Sequence, residues 1–170
     1  MKKLIMREGM VQKVLVERLR ERKLKIASAE SLTGGLISKM ITDVSGASEV
    51  FECGVCSYSN RIKHELLGVS HKTLDEYTEY SRETAGEMAE GIRRLSGADI
   101  GVSTTGIAGP GGGTDKKPVG LVYVGISTEN YKNTYELRLA DKIDIEREYI
   151  RQQAARYAVC AVLDYLEGND

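Results

Sequence analysis

The chain has 170 residues, 41% apolar and 29% charged, the balance of an ordinary globular protein with one hydrophobic core large enough for independent folding. Lys plus Arg (24) nearly cancels Asp plus Glu (25), which argues against a nucleic-acid binder and leaves any anionic ligand to a local cluster. No apolar stretch approaches the ~18 residues of a membrane span, and in MKKLIMREGM the charges at Arg7 and Glu8 interrupt the apolar run before it reaches signal-peptide length.

The three cysteines, Cys53, Cys56 and Cys160, are too few and too irregular for a secreted disulfide framework, so the cytoplasm is the expected compartment. Cys53-Gly-Val-Cys56 has C-x-x-C spacing but lies in an apolar, strand-like run. Redox motifs of that spacing sit at a helix start, and a zinc site needs further ligands that are not nearby. Packed structural cysteines are the expectation, with no metal.

In chain order, Met10, Val11, Val14, Leu15 and Leu19 recur at helical spacing, predicting an amphipathic helix from about Arg7 to Arg22. A strand over Lys23 to Ala29 runs into the small-residue turn Glu30-Ser31-Leu32-Thr33-Gly34-Gly35, and helical spacing resumes at Leu36, Ile37, Met40 and Ile41. Such a turn aims backbone N–H groups and the positive end of a helix at whatever lies above it. Asp43 to Ser48 reads as a loop, Val50 to Tyr58 as a central strand, and Asn60 to Leu67 as a short helix stopped by Gly68.

Ser70 caps a helical turn to Tyr77, and Ser81 caps a longer helix to about Leu95, ended by Gly97. Ala98 to Thr105 is a buried strand feeding the glycine-rich loop 106–118. Val119 to Thr128 and Thr134 to Leu139 form a strand pair, and a final helix runs from about Asp144 to Leu166. Alternating helices and strands with a late hairpin imply an α/β protein, a three-layer α/β/α single domain with a mixed sheet.

Chemistry concentrates in Ser48 to Lys63, which offers a serine, a phenol (Tyr58) and an amine around one strand and can form an acyl-transfer site acting on a small amide. His64 and His71 are the only histidines and read as solvated, so Lys63 is the base candidate. A lysine serves as a base only where burial or a neighbouring cation lowers its pKa, and serine–lysine pairs are a known variant of triad logic. Arg61 could supply that neighbouring charge.

Ser31, exposed at a strand-to-helix turn, is the rival nucleophile. The glycine loop after Thr104-Thr105-Gly106 lets a ligand approach backbone donors. It lacks the Gly-Lys-Ser/Thr of a nucleotide-triphosphate loop and opens no helix as a dinucleotide fingerprint would.

Several blocks, taken together and in order, carry a resemblance. They are Ala29-Glu30-Ser31-Leu32-Thr33-Gly34-Gly35, Gly46-Ala47-Ser48, Tyr58-Ser59-Asn60-Arg61-Ile62-Lys63, Leu66-Leu67-Gly68-Val69, Thr105-Gly106-Ile107-Ala108-Gly109-Pro110-Gly111-Gly112 and Lys117-Pro118-Val119-Gly120. The chain thereby resembles the C-terminal domain of the competence/damage-inducible protein CinA, which also occurs as a stand-alone nicotinamide-nucleotide amidohydrolase. The resemblance implies hydrolysis of nicotinamide mononucleotide to nicotinate mononucleotide and ammonia in pyridine-nucleotide recycling, without a metal or cofactor. It also implies that activities of the N-terminal domain of longer CinA proteins are not to be assigned here.

By the same resemblance Ser48, Tyr58 and Lys63 match catalytic positions. Ser31, Thr33, Gly34, Gly35, Thr105, Gly106 and Gly109 match the substrate pocket, joined by Asn60 at the start of the helix carrying Lys63. Ile145-Glu146-Arg147-Glu148-Tyr149-Ile150-Arg151 keeps two arginines of a family Gly-Asp-Arg-x-x-x-Arg pattern but not its Gly-Asp, and Arg147 is the choice for the phosphate. In the expected mechanism Ser48 attacks, Lys63 takes its proton and Tyr58 relays or orients that proton.

The expected partner is a small-molecule nucleotide, with no nucleic acid and no membrane. A non-catalytic nucleotide-binding regulatory module is the alternative. A homo-oligomer stays open, because Tyr157 and Tyr165 serve equally as dimer contacts or as core and rim of the last helix.

Overall fold

The structure, a computed structural model, describes residues 11–140 and 146–168. Five strands pair in the order β2-β1-β3-β4-β5: β1 (Ile26–Glu30), β2 (Phe51–Cys56), β3 (Ile100–Gly106), β4 (Leu121–Ser127) and β5 (Lys132–Arg138). β1 runs parallel to both β2 and β3, while β3–β4 and β4–β5 are antiparallel. The mixed α/β sheet is as expected, but the strand expected to be central, β2, lies at an edge. Its burial alternates residue by residue, whereas β1 and β3 are buried throughout, as befits strands covered on both faces.

One face of the sheet carries α1 (Val11–Arg22), α2 (Leu36–Thr42) and α6 (Arg147–Glu167); the other carries α3 (Asn60–Leu67), α4 (His71–Tyr77) and α5 (Arg82–Ser96). Successive strand residues point to opposite faces, and β1 shows the consequence. Ile26 joins the larger core with Leu15, Leu19 and Ile150, and Ala27 and Ala29 join a smaller one with Leu67, Met88 and Ile92. Deleting the Leu15 or Leu19 side chain to Ala would cost about 2–5 kcal/mol, because neither position is exposed to solvent.

Small residues set the layer spacing on the α5 side. A Cβ at Gly91 would stand 1.9 Å from the Leu67 carbonyl oxygen, and one at Gly101 would stand 2.0 Å from that of Ala89. The caps read from sequence are formed: the Ser70 and Ser81 hydroxyls accept from the N–H groups of Thr73 and Thr84, and Gly68 and Gly97 close α3 and α5 in left-handed conformation; the structure adds Ser59, whose hydroxyl accepts from the Ile62 N–H at the start of α3. The expected starts of the first and last helices, Arg7 to Met10 and Asp144 to Ile145, lie outside the described residues.

This topology positions a site. From β1 the chain moves through α2 to β2 on one side, then returns through α3, α4 and α5 to β3 on the other. The connections therefore diverge at the carboxyl ends of β1 and β3, the place where open α/β sheets form their ligand crevice.

Candidate active site

Ser31 follows the last residue of β1 and is fastened to the neighbouring strand, its N–H donating to the Thr104 carbonyl at 2.9 Å. Lys63 comes from the second turn of α3, points inward and is 1% exposed, the bulkiest of the fully buried side chains. Its Nζ donates to the Ser57 carbonyl at 2.9 Å, the Ser31 Oγ at 3.2 Å and the Tyr58 carbonyl at 3.4 Å. An ammonium has three donors, and all three are directed at these oxygens. The pair opens into a crevice of about 370 Å³, lined also by Asn60, Glu79, Tyr80, Gly106 and Arg147.

Burial lowers the Lys63 pKa to about 8, because removing the ammonium from water disfavours the charged form; the nearby Glu79 carboxylate pulls in the opposite direction and is outweighed. At pH 7 roughly one lysine in ten is then neutral and able to accept a proton. Arg61, the expected neighbouring cation, is exposed and pairs with Glu65 on the surface of α3. Desolvation therefore does what a second cation was expected to do.

The turn carrying Ser31 is held from beneath by Glu30, fully buried at the end of β1. Its carboxylate accepts from the N–H groups of Gly35, Ile37 and Ser38 at 2.9, 3.1 and 2.9 Å, and from the Ser38 hydroxyl at 2.8 Å. The positive end of α2, expected to face a ligand, is thus neutralised by the protein's own carboxylate. From α6, Arg151 donates to the Leu32 carbonyl at 2.9 Å and the Thr33 carbonyl at 3.0 Å, gripping the turn from the other side.

The structure sets Ser48 apart from Lys63. Ser48 lies exposed in a 3-10 turn, Ala47–Glu49, before β2, at the end of the sheet where Ile26 pairs with Phe51. Lys63 acts beyond the opposite end, where Glu30 pairs with Cys56. Six strand residues at ~3.3 Å each separate the two ends by roughly 20 Å. Ser48 and Lys63 are near in sequence and apart in space.

Tyr58 is also reassigned. Only its backbone carbonyl meets Lys63; its phenol is 65% exposed and accepts from Arg147 at 3.1 Å across the mouth of the crevice. Of the residues expected to bind substrate, Ser31, Asn60, Gly106 and Arg147 line the crevice, whereas Thr33, Gly34, Gly35, Thr105 and Gly109 do not. Those five shape it from behind. The Thr33 hydroxyl pairs with that of Thr104 at 2.7 Å, Gly34 and Gly35 supply two consecutive positive φ angles (57° and 98°), Thr105 donates to the Glu79 carbonyl at 2.6 Å, and the Gly109 carbonyl accepts from Arg147 at 2.6 Å.

Glu79, Tyr80 and the backbone carbonyl of Ser57 went unnoticed in the sequence. Glu79 and Tyr80 fall between the helical turn read to Tyr77 and the helix capped by Ser81, and nothing local tells which side chain turns inward. Arg151 had a visible signal, since it follows Arg147 by four residues and shares its helix face.

The cysteines are free, and Cys56 is exposed at the edge strand, not packed as expected. Burial nonetheless raises its pKa, with Glu30 adding to the effect, which disfavours the reactive thiolate. Among the described residues no helix is long and apolar enough to cross a membrane, and no group of three His, Cys, Asp or Glu side chains is placed to hold a metal ion.

Fold and site together define a three-layer α/β protein with a buried serine–lysine pair at the switch point of its parallel strands. The chain belongs to the CinA C-terminal domain family, whose profile matches residues 8–166. It is 50% identical over 161 residues to a competence-damage inducible protein of Thermoanaerobacter pseudethanolicus, covering 95% of this chain and 38% of that protein. It is 44% identical over 158 residues to a CinA-like protein of Desulfovibrio desulfuricans, covering 93% and 37%. The chain thus spans well under half the length of these curated relatives.

Among solved structures, the competence/damage inducible protein CihA from Agrobacterium tumefaciens superposes with a TM-score of 0.87 at 37% identity, covering 92% of this chain and 93% of that one. A CinA superfamily protein from Escherichia coli does so with a TM-score of 0.85 at 26% identity, covering 91% and 88%.

Proposed function

We propose that this chain is a serine–lysine amidohydrolase that converts nicotinamide mononucleotide to nicotinate mononucleotide and ammonia. The observation that carries the reading is a 1%-exposed lysine amine 3.2 Å from the Ser31 hydroxyl, opening into a crevice. A buried lysine with a lowered pKa costs stability and is a mark of functional sites, and a serine hydroxyl needs a base beside it to attack a carboxamide.

In this reading neutral Lys63 takes the Ser31 proton as Oγ bonds to the carboxamide carbon. The tetrahedral oxyanion is held by backbone N–H groups of the turns after β1 and β3. Lys63 then returns the proton to the nitrogen, the C–N bond breaks and ammonia leaves an acyl-serine. Water, deprotonated by Lys63, attacks the acyl carbon, and the proton finally restores the Ser31 hydroxyl. Arg147, at the crevice mouth with Tyr58, takes the phosphate. The fold's crevice and the family resemblance support this substrate.

The test is ammonia release from nicotinamide mononucleotide by purified protein, with and without Ser31→Ala. Turnover by the native chain that Ser31→Ala abolishes is expected. Tight nucleotide binding with no ammonia release would overturn the hydrolytic reading and identify a binding module.

A further inference from the structure

Side chains from three separate elements converge on the backbone of residues 77–80. Lys117, from the glycine-rich loop, donates to the Tyr77 carbonyl at 2.7 Å, the Thr78 hydroxyl at 2.6 Å and the Tyr80 carbonyl at 3.0 Å. Ser81 and Thr84, at the start of α5, donate to the Thr78 carbonyl at 3.1 and 2.8 Å. Thr105, from β3, donates to the Glu79 carbonyl.

This bracing holds Thr78 at φ 70°, a positive value that a β-branched residue rarely adopts. Such strain persists only where the surroundings over-determine it, and it clusters where a side chain must be presented. What is presented here is Glu79, with Tyr80, on the wall of the crevice.

A carboxylate beside a serine–lysine pair is at first sight a defect. It acts on Lys63 by raising the pKa that catalysis needs lowered, and it repels the oxyanion of any acyl transfer. A feature that opposes the base and is braced in place by three elements has a purpose other than activating that base. The ligand supplies one. An N-substituted nicotinamide carries a full positive charge on its ring nitrogen, meta to the carboxamide under attack. Glu79 lines the same crevice as Ser31 and Lys63 and hydrogen-bonds with the Tyr80 phenol, so its carboxylate faces the space that ring would occupy. The aromatic faces of Tyr58 and Tyr80 in that crevice also attract cations.

Resting on the amidohydrolase reading for the ligand's identity, we propose that Glu79 is a specificity-determining residue that makes the crevice select a positively charged pyridinium carboxamide over its neutral dihydropyridine counterpart. The rejected form has the same carboxamide, ribose and phosphate, so discrimination rests on the ring, whose lost positive charge is the difference a carboxylate reads. The crevice then carries opposite charges in separate places, Glu79 near the reacting pair and Arg147 at the mouth, matching a ligand that is cationic at its ring and anionic at its phosphate. When that cationic ring binds, it also counters the pull of Glu79 on Lys63, so the base becomes easier to deprotonate in the complex than in the free protein.

The experiment compares nicotinamide mononucleotide with its dihydro form by calorimetric titration of Ser31→Ala and of Ser31→Ala/Glu79→Gln, in which no acyl transfer intervenes. Glu79→Gln should weaken the cationic ligand by about tenfold or more and leave the neutral ligand within about twofold, which also shows that the variant is folded. Equal weakening of both ligands, or none of the cationic one, overturns the proposal. Ammonia release by the native chain with charge-blind binding would sink the role of Glu79 and spare the hydrolytic reading. Charge-selective binding with no ammonia release would do the reverse.

Discussion

Ser31 and Ser48 stand at opposite ends of the same parallel strand pair, and they differ in nearly everything that matters to an alcohol nucleophile. Ser31 leaves the carboxyl end of β1 with 6% exposure, within hydrogen-bonding distance of a buried amine and in a turn gripped by Glu30 and Arg151. Ser48 precedes the amino end of β2 in an exposed 3-10 turn whose neighbour Glu49 is tied up with Arg20. The contrast teaches that which hydroxyl of an open α/β sheet can meet a buried amine is decided by the end of the strands it occupies.

The sharpest break of that comparison is a pair of substitutions. Ser31→Ala should lower kcat for ammonia release by at least about 1000-fold, whereas Ser48→Ala should stay within about twofold of native; a reversed pattern would return the nucleophile to the far end of the sheet. Lys63→Met tests the partner of Ser31 and should cost a similar factor. The buried ammonium also burdens folding. With the folded pKa near 8 and the unfolded value at 10.5, the unfolded chain binds more protons between those pH values. Native stability should therefore rise as pH increases from about 8 toward 10.5, by on the order of 3 kcal/mol in total. Below about 8 the cost is fully present. Denaturant melts of the native chain should show this gain, and melts of Lys63→Met should not.

Next in size is the effect of pH on rate. The rate should rise about tenfold per pH unit below 8 and level off above it, following the fraction of neutral Lys63. A flat profile between pH 6 and 8 would show that Lys63 is not the base.

The smallest expected effect concerns the grip on the Ser31 turn. Arg151→Lys keeps a positive charge but cannot reach the Leu32 and Thr33 carbonyls with the same planar fork. It should lower kcat by about 10- to 100-fold with little change in KM, the signature of a displaced nucleophile. A change confined to KM would instead place Arg151 in ligand binding.

Much of this molecule was legible before its coordinates. The helices from His71 and Arg82 announced themselves through Ser70 and Ser81 as caps, and those from Asn60 and Arg82 through Gly68 and Gly97 as stops, because capping is settled within a few residues. Lys63 was singled out as base and Ser31, Asn60, Gly106 and Arg147 as pocket residues, and all five line the crevice.

What misled was proximity along the chain. Ser48 and Tyr58 lie close to Lys63 in sequence, yet β2 intervenes between Ser48 and Lys63, and the Tyr58 side chain leaves its backbone toward Arg147. Nor could β2 be recognised as an edge, since its apolar run reads like that of a covered strand until its neighbours are known.

By itself, then, the sequence determined what depends on near neighbours: helix boundaries, the turn glycines at 34 and 35, the class of the sheet and the residue types available for chemistry. Only the tertiary structure decided which serine meets the amine, that Glu30 occupies the end of α2, and that Glu79 turns inward. Those outcomes depend on strand order and on contacts such as Lys63 with Ser31, 32 residues apart, and Arg151 with Leu32, 119 apart. The free energy of such contacts exists only once the sheet has assembled, so no local pattern records it.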